Sequence, residues 1–192
     1  MDGRKGPAVK PVSALRNILV RKSVSVGVTA IAVAGLLLTA SPPASAQVSG
    51  PWYIRETYSS YRISAPNLAL YEPVVELTGG RYIDFVPTGT AGHYKLAFSA
   101  VNDDRCVAAT NDGSYVDIKP CSGANGVVWI AEQGPDGCSY VFENQQFSGK
   151  YLAGHDVNGD QFQVKNYGAS GWYYQFRLID PGTGTVHCYT TT

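Results

Sequence analysis

The residues of this chain that are able to do chemistry are few and dispersed. His93, His155 and His187 sit one per region. Nucleophilic catalysis needs a Ser or Cys within hydrogen-bond reach of its base, and no G-x-S-x-G turn occurs. Asp103-Asp104 is an adjacent acid pair, and it reads as a solvated turn rather than as the flanking carboxylates of glycoside hydrolysis. Asp156-Val157-Asn158-Gly159-Asp160 begins like a calcium loop. However, Gln161 stands where that loop needs glycine and Tyr167 where it needs a bidentate acid, so a polar hairpin turn is the better reading. Cys106, Cys121, Cys138 and Cys188 have no CxxC spacing, which argues against a metal site. The expectation is a protein without catalytic activity, metal or cofactor.

Binding chemistry is better represented. Gly168-Ala169-Ser170-Gly171 feeds Trp172-Tyr173-Tyr174, a small-residue loop leading into a stacking platform. Asn166, Tyr167, Asp156 and Asn158 lie nearby in sequence and supply hydrogen-bonding groups of the kind polar-ligand pockets use. The expected carbohydrate-binding residues are therefore Trp172, Tyr167, Asn166, Asp156 and Asn158. The competing reading turns Tyr173 inward and leaves only Trp172 exposed, because half of any strand run faces the core. Asp84 and Asp117 alternate with inward apolar residues. Each is expected to face outward, as a ligand residue or bonded to a turn amide.

The elements that must position these groups are strands. Tyr82-Ile83-Asp84-Phe85-Val86-Pro87 recurs 33 positions later as Tyr115-Val116-Asp117-Ile118-Lys119-Pro120. A repeat this short points to one supersecondary unit copied and stacked. Runs rich in Val, Ile, Tyr and Phe alternate with Gly, Asn, Asp, Ser and Pro clusters. The expected strands are Tyr61–Ser64, Leu68–Tyr71, Tyr82–Val86, Tyr94–Phe98, Cys106–Ala109, Tyr115–Lys119, Val127–Ala131, Ser139–Glu143, Tyr151–Ala153, Gln161–Lys165, Tyr173–Ile179 and Val186–Tyr189. Asn111-Asp112-Gly113, Asn125-Gly126 and Asn158-Gly159 provide the positive-φ residues of tight hairpins. A weaker third copy starts at Tyr151-Leu152-Ala153, giving three units of roughly 40 residues in a threefold barrel. Alternation predicts that Ile83, Phe85, Leu96, Phe98, Val107, Val116, Ile118, Trp129, Tyr140, Phe142, Leu152, Phe162, Val164, Phe176 and Leu178 point inward.

Residues 1–46 read as a cleaved signal peptide. Arg4, Lys5, Lys10, Arg16, Arg21 and Lys22 form a basic region, Val24 to Ala40 is apolar, and Ala44-Ser45-Ala46 fits a small-residue cleavage site. Residues 47–192 then form one domain, secreted and extracellular, with no membrane attachment in the mature form. The whole chain has 15 basic and 15 acidic residues, of which the leader holds six and one. That leaves nine against 14, or −5, a poor balance for nucleic acid or anionic lipid. All 22 aromatic residues, 13 of them Tyr, lie beyond the leader, which suits strands and polar-ligand surfaces. Four cysteines in a secreted domain imply two disulfides. Three connectivities are possible, and the spacing favours Cys106–Cys121. Cys138–Cys188 would then tie down the C-terminal tail.

Cys106-Val107-Ala108-Ala109, Gly113-Ser114-Tyr115-Val116-Asp117-Ile118-Lys119-Pro120-Cys121-Ser122-Gly123 and Val128-Trp129 together resemble one repeat of the ricin-B-type β-trefoil lectins. Phe142-Glu143-Asn144, Ser148-Gly149-Lys150-Tyr151-Leu152-Ala153-Gly154 and Gln175-Phe176 resemble the next. The resemblance is fair over residues 99–180 and faint over 58–98. It implies an all-β β-trefoil with repeats at about 58–98, 99–142 and 143–189, an intra-repeat Cys106–Cys121 disulfide, and a carbohydrate-binding module. The family's galactose-type site uses four positions per repeat: an Asp, a stacking aromatic and an Asn-Gln pair. Here they hold Val75, Val86, His93 and Tyr94 in the first repeat, and Ala108, Lys119, Gly126 and Val127 in the second. In the third they hold Ala153, Lys165, Tyr173 and Tyr174, so no repeat keeps the set. The partner expected is a glycan or glycoconjugate bound without chemistry. The second reading is a secreted protein-interaction module on the same fold, such as a protease inhibitor.

Overall fold

The computed structural model describes residue 48, residues 50–99 and residues 104–188. The expected signal peptide, Asp103 and the end of the last expected strand at Tyr189 lie outside the described residues. Thirteen strands form the sheet. They are β1 (Pro51–Glu56), β2 (Arg62–Ser64), β3 (Val75–Leu77), β4 (Ile83–Pro87), β5 (His93–Phe98), β6 (Cys106–Ala109) and β7 (Val116–Lys119). They continue as β8 (Val128–Gln133), β9 (Tyr140–Asn144), β10 (Lys150–Ala153), β11 (Gln163–Asn166), β12 (Phe176–Ile179) and β13 (Val186–His187). There is no helix among the described residues.

Six strands close a ring. β1 pairs with β4, β4 with β5, β5 with β8, β8 with β9, β9 with β12, and β12 with β1, all antiparallel. Closure leaves no free barrel edge for another chain to pair with. The other strands form three hairpins, β2–β3, β6–β7 and β10–β11. These touch one another through the bridges Pro73↔Asp117, Val75↔Gln161 and Tyr115↔Gln163. Each unit is thus four strands, with the outer two in the ring and the inner two in a hairpin, giving a β-trefoil-like architecture. β13 adds to β12, and the Cys138–Cys188 disulfide fastens it to the start of β9. Cys106–Cys121 closes the second hairpin's base.

All fifteen residues expected to point inward belong to one buried cluster. Trp129 is fully buried, and its Nε1 donates to the Val107 carbonyl at 2.8 Å, so the indole's one polar atom is satisfied inside the core. Burying each such large side chain contributes about 1.5–3 kcal/mol.

Two expected elements differ. The strand β1 falls where no strand was expected, between the leader and Tyr61, so each unit opens one strand earlier than the resemblance implies: at 51, 93 and 140. Leu68–Tyr71 is a loop and turn, and the strand falls instead at Val75–Leu77. Both departures involve an inward glutamate. Glu56 in β1 and Glu76 in β3 are fully buried, which breaks the polar-out rhythm that identifies a strand in a sequence.

Candidate functional site

A cleft of about 480 Å³ lies beside the second hairpin. The turn after β6 supplies Thr110 and Asn111, β7 supplies Asp117 and Lys119, and the turn before β8 supplies Asn125. Its rim is Tyr71, which belongs to the first unit. The segment after the 68–71 turn runs antiparallel to β7. The Tyr71 amide donates to the Ile118 carbonyl at 2.7 Å, Ile118 donates to Glu72 at 2.9 Å, and Val74 donates to Val116 at 2.9 Å. Tyr71 is therefore fixed by its backbone while its ring stays 69% exposed.

Its φ is 67°. A bulky residue in that region is uncommon and costs of order 1–3 kcal/mol. Strain of this kind, held in place by flanking pairing, marks a position kept for something other than stability.

The cleft floor is polar and largely self-satisfied. The Lys119 ammonium donates to the Ala109 carbonyl at 2.7 Å, to Asn111 Oδ1 at 3.0 Å and to the Asn125 carbonyl at 3.4 Å. Burial pushes its pKa down, while Asp117 and Asp112 pull the other way. Asp117 faces outward as expected and accepts from the side-chain amide of Gln161, not from a turn amide, at 2.7 Å. Burial raises its pKa, against Lys119 and Gln161, which lower it. Lys119 has no ring to stack on a sugar, but Tyr71 places one at the same cleft from the neighbouring unit.

The five residues singled out in the sequence lie on the 154–160 turn, at the end of β11 and just after it, and in the segment before β12. Trp172 is half-buried. His155 stacks on it with centroids 4.8 Å apart and planes at 20°, and Lys165 Nζ lies 4.8 Å from its ring centroid. Tyr167 is exposed, 5.3 Å from Tyr151 and 5.2 Å from Tyr174, and Trp172 and Tyr151 pack against the same Val141, Ala153 and Tyr174 cluster. Asn166 ends β11 with an exposed side chain, and its carbonyl accepts from the Tyr174 hydroxyl at 2.8 Å. Asp156, at φ 58°, and Asn158 are exposed on the 154–160 turn. Among the described residues no hydrogen bond joins either to an aromatic group. The inward residue of the aromatic run is Tyr174, 7% exposed, rather than Tyr173. Tyr173 exchanges backbone hydrogen bonds with Gly154, which sets the phase one residue later.

Beneath that turn lies a feature not visible in the sequence. Glu76 accepts the His155 amide, and the Val157 amide at 3.0 Å. Glu56 accepts Ser59 Oγ at 2.6 Å through Oε2, while its Oε1 is buried without a hydrogen-bond partner. A Cβ on Gly154 would stand 1.5 Å from Glu56 Oε1 and 2.9 Å from Glu76 Oε1, so only glycine lets the two carboxyls meet there. Burial raises the Glu56 pKa to about 8, against the Ser59 hydrogen bond, with Glu76 and Asp156 raising it further. Glu76 is also raised by burial, although the loop amides hold it down. Tyr71 was hidden for a different reason, since it read as the end of a strand. The Glu72-Pro73 that follows is the one local signal that a strand stops there.

No protein-family model and no curated protein matches the chain. Solved structures do. The designed 3-fold symmetric protein ThreeFoil is 20% identical, with a TM-score of 0.58 over 68% of this chain and 98% of that one. SeviL, in a structure with bound asialo-GM1 saccharide, is 17% identical, with a TM-score of 0.52 over 70% and 99%. A Gallus interleukin-1 beta mutant is 9% identical, with a TM-score of 0.55 over 70% and 97%. What this chain shares with all three is an all-β, β-trefoil-like fold.

Proposed function

We propose that the protein is a secreted carbohydrate-binding module without catalytic activity, and that its glycan binds in the cleft capped by Tyr71. The observation that carries this is an exposed tyrosine, held at φ 67° at the rim of a polar cleft of about 480 Å³. A ring stacks on the apolar face of a sugar, and Asn111, Asn125, Thr110 and Asp117 address hydroxyls from the floor. SeviL, a saccharide-bound protein of the same fold, supports the reading.

The test is a glycan array on the purified protein and on Tyr71→Gly. Glycine tolerates positive φ, so this variant folds while losing the ring. Stacking of an aromatic on a ligand ring is worth about 0.5–1.5 kcal/mol, so Y71G should weaken binding about 3- to 10-fold. An array without a binder of any class, or one on which Y71G matches the parent, overturns the proposal.

A further inference from the structure

β1 lies between β2 and β12 in the sheet, and its register sets Arg55 opposite Arg62 on one side and Arg177 on the other. Ile54, Ile63 and Phe176 face the core, so alternation turns all three arginines to the outer face. Neighbouring strands lie about 4.8 Å apart, so the row spans about 10 Å. Three of the five arginines beyond residue 47 are gathered here.

Like charges directly opposite one another destabilise a sheet, and little in the fold neutralises these. Arg177 Nη2 meets Asp136 Oδ2 at 3.2 Å. The Arg62 guanidinium lies over the Tyr53 ring, 4.2 Å from its centroid, and Tyr82 packs on that ring at 4.7 Å. Arg55, in the middle, has neither a hydrogen bond nor an ion pair among the described residues. The Nε atoms of all three are buried without a hydrogen-bond partner. Gly80 makes room for the row, since a Cβ there would lie 2.4 Å from Arg62 Cβ.

We infer that the outer face of β2, β1 and β12 is a second binding site, distinct from the Tyr71 cleft, and that its ligand is an acidic glycan bearing sulfate or carboxylate groups. Guanidinium forks match such oxyanions bidentately, and the exposed Tyr82 borders the row with ring surface for the sugar. The row is short, and residues 47–192 otherwise carry an excess of acids, with a net charge of −5. A duplex nucleic acid would extend its phosphates past the row onto repulsive surface, whereas one or two charged sugars fit within it. A like-charge row whose central member has no side-chain partner costs stability, as functional sites often do.

The test uses the purified protein, a sulfated heparin oligosaccharide and a duplex DNA control, in calorimetric titrations across a salt series. Arg55→Gln and Lys150→Gln are compared with the parent. R55Q should weaken the oligosaccharide about tenfold and reduce the slope of log K against log salt by about one, while K150Q leaves both unchanged. Without ligand, R55Q should unfold at the same or higher denaturant, which separates lost binding from lost folding. Y71G should bind the oligosaccharide as the parent does, so failure of the cleft reading leaves this one standing. Absence of binding at physiological salt, an equal loss in K150Q, or equal affinity for duplex DNA would each overturn it.

Discussion

Replacing Glu56 by Gln should stabilise the protein, and by an amount that depends on pH in a defined way. Glu56 is fully buried with no cation against it, and its pKa is raised from 4.5 to about 8, chiefly by burial. Below about pH 4.5 the carboxyl is protonated in both folded and unfolded chains, and it imposes no pH-dependent penalty. Between about 4.5 and 8 the unfolded chain releases the proton while the folded one keeps it. Each pH unit in that window then subtracts about 1.4 kcal/mol from stability. The full window amounts to roughly 5 kcal/mol, an upper bound because the 154–160 turn can open and admit water. Above about pH 8 both states are ionised and the loss levels off. Gln keeps an acceptor for Ser59 Oγ and gains a donor to offer Glu76, without any titration. Urea unfolding of parent and E56Q at pH 4, 6 and 8 reads the difference directly. The two should be nearly equal at pH 4, and E56Q should lead by several kcal/mol at pH 8. A difference that stays constant across pH would refute the assignment of a buried, protonated Glu56.

Gly154→Ala should cost more than a helix or strand propensity change explains, about 1–3 kcal/mol by analogy with overpacked cores, because its Cβ would fall 1.5 Å from Glu56 Oε1. The double variant G154A/E56A should recover part of that loss in the same urea assay, and simple additivity would contradict the packing argument. Trp129→Ala should cost about 3–5 kcal/mol, since it opens a cavity and strands the Val107 carbonyl that Nε1 now satisfies. Equilibrium unfolding checks this too, and a loss under 1 kcal/mol would mean that the barrel collapses around the gap.

The barrel was legible because β4 and β5 alternate apolar with polar residues and the runs in β6 and β9 are short and apolar. Ile83, Phe85, Leu96 and Phe98 read correctly from alternation, and all are buried. Legibility failed where a strand points a carboxyl inward. Glu56 and Glu76 made β1 and β3 look like loop, and only the three-dimensional meeting at Gly154 explains why both are tolerated. The orientation of the aromatic run was hidden for a related reason. Tyr174 takes the inward position of the run, so Trp172 stacks on His155 while Tyr167 packs on Tyr174. Tyr71 serves a cleft of the next unit, and a contact between units leaves no trace in either one's spacing. Net charge likewise conceals the arginine row, since Arg177 reaches Arg55 only through the β1–β12 pairing.

That same pairing makes the order of the units arbitrary. With β1 seated against β12, the polypeptide is stitched into a loop, and either of the two inter-unit turns is a seam equivalent to the β12–β1 junction. A circularly permuted gene that opens at the Gly134–Gly137 turn and joins β12 to β1 by a linker would restore every rung of the barrel. Frames starting at 51 and at 58 are then two cuts through one closed molecule, and duplication could have begun from either.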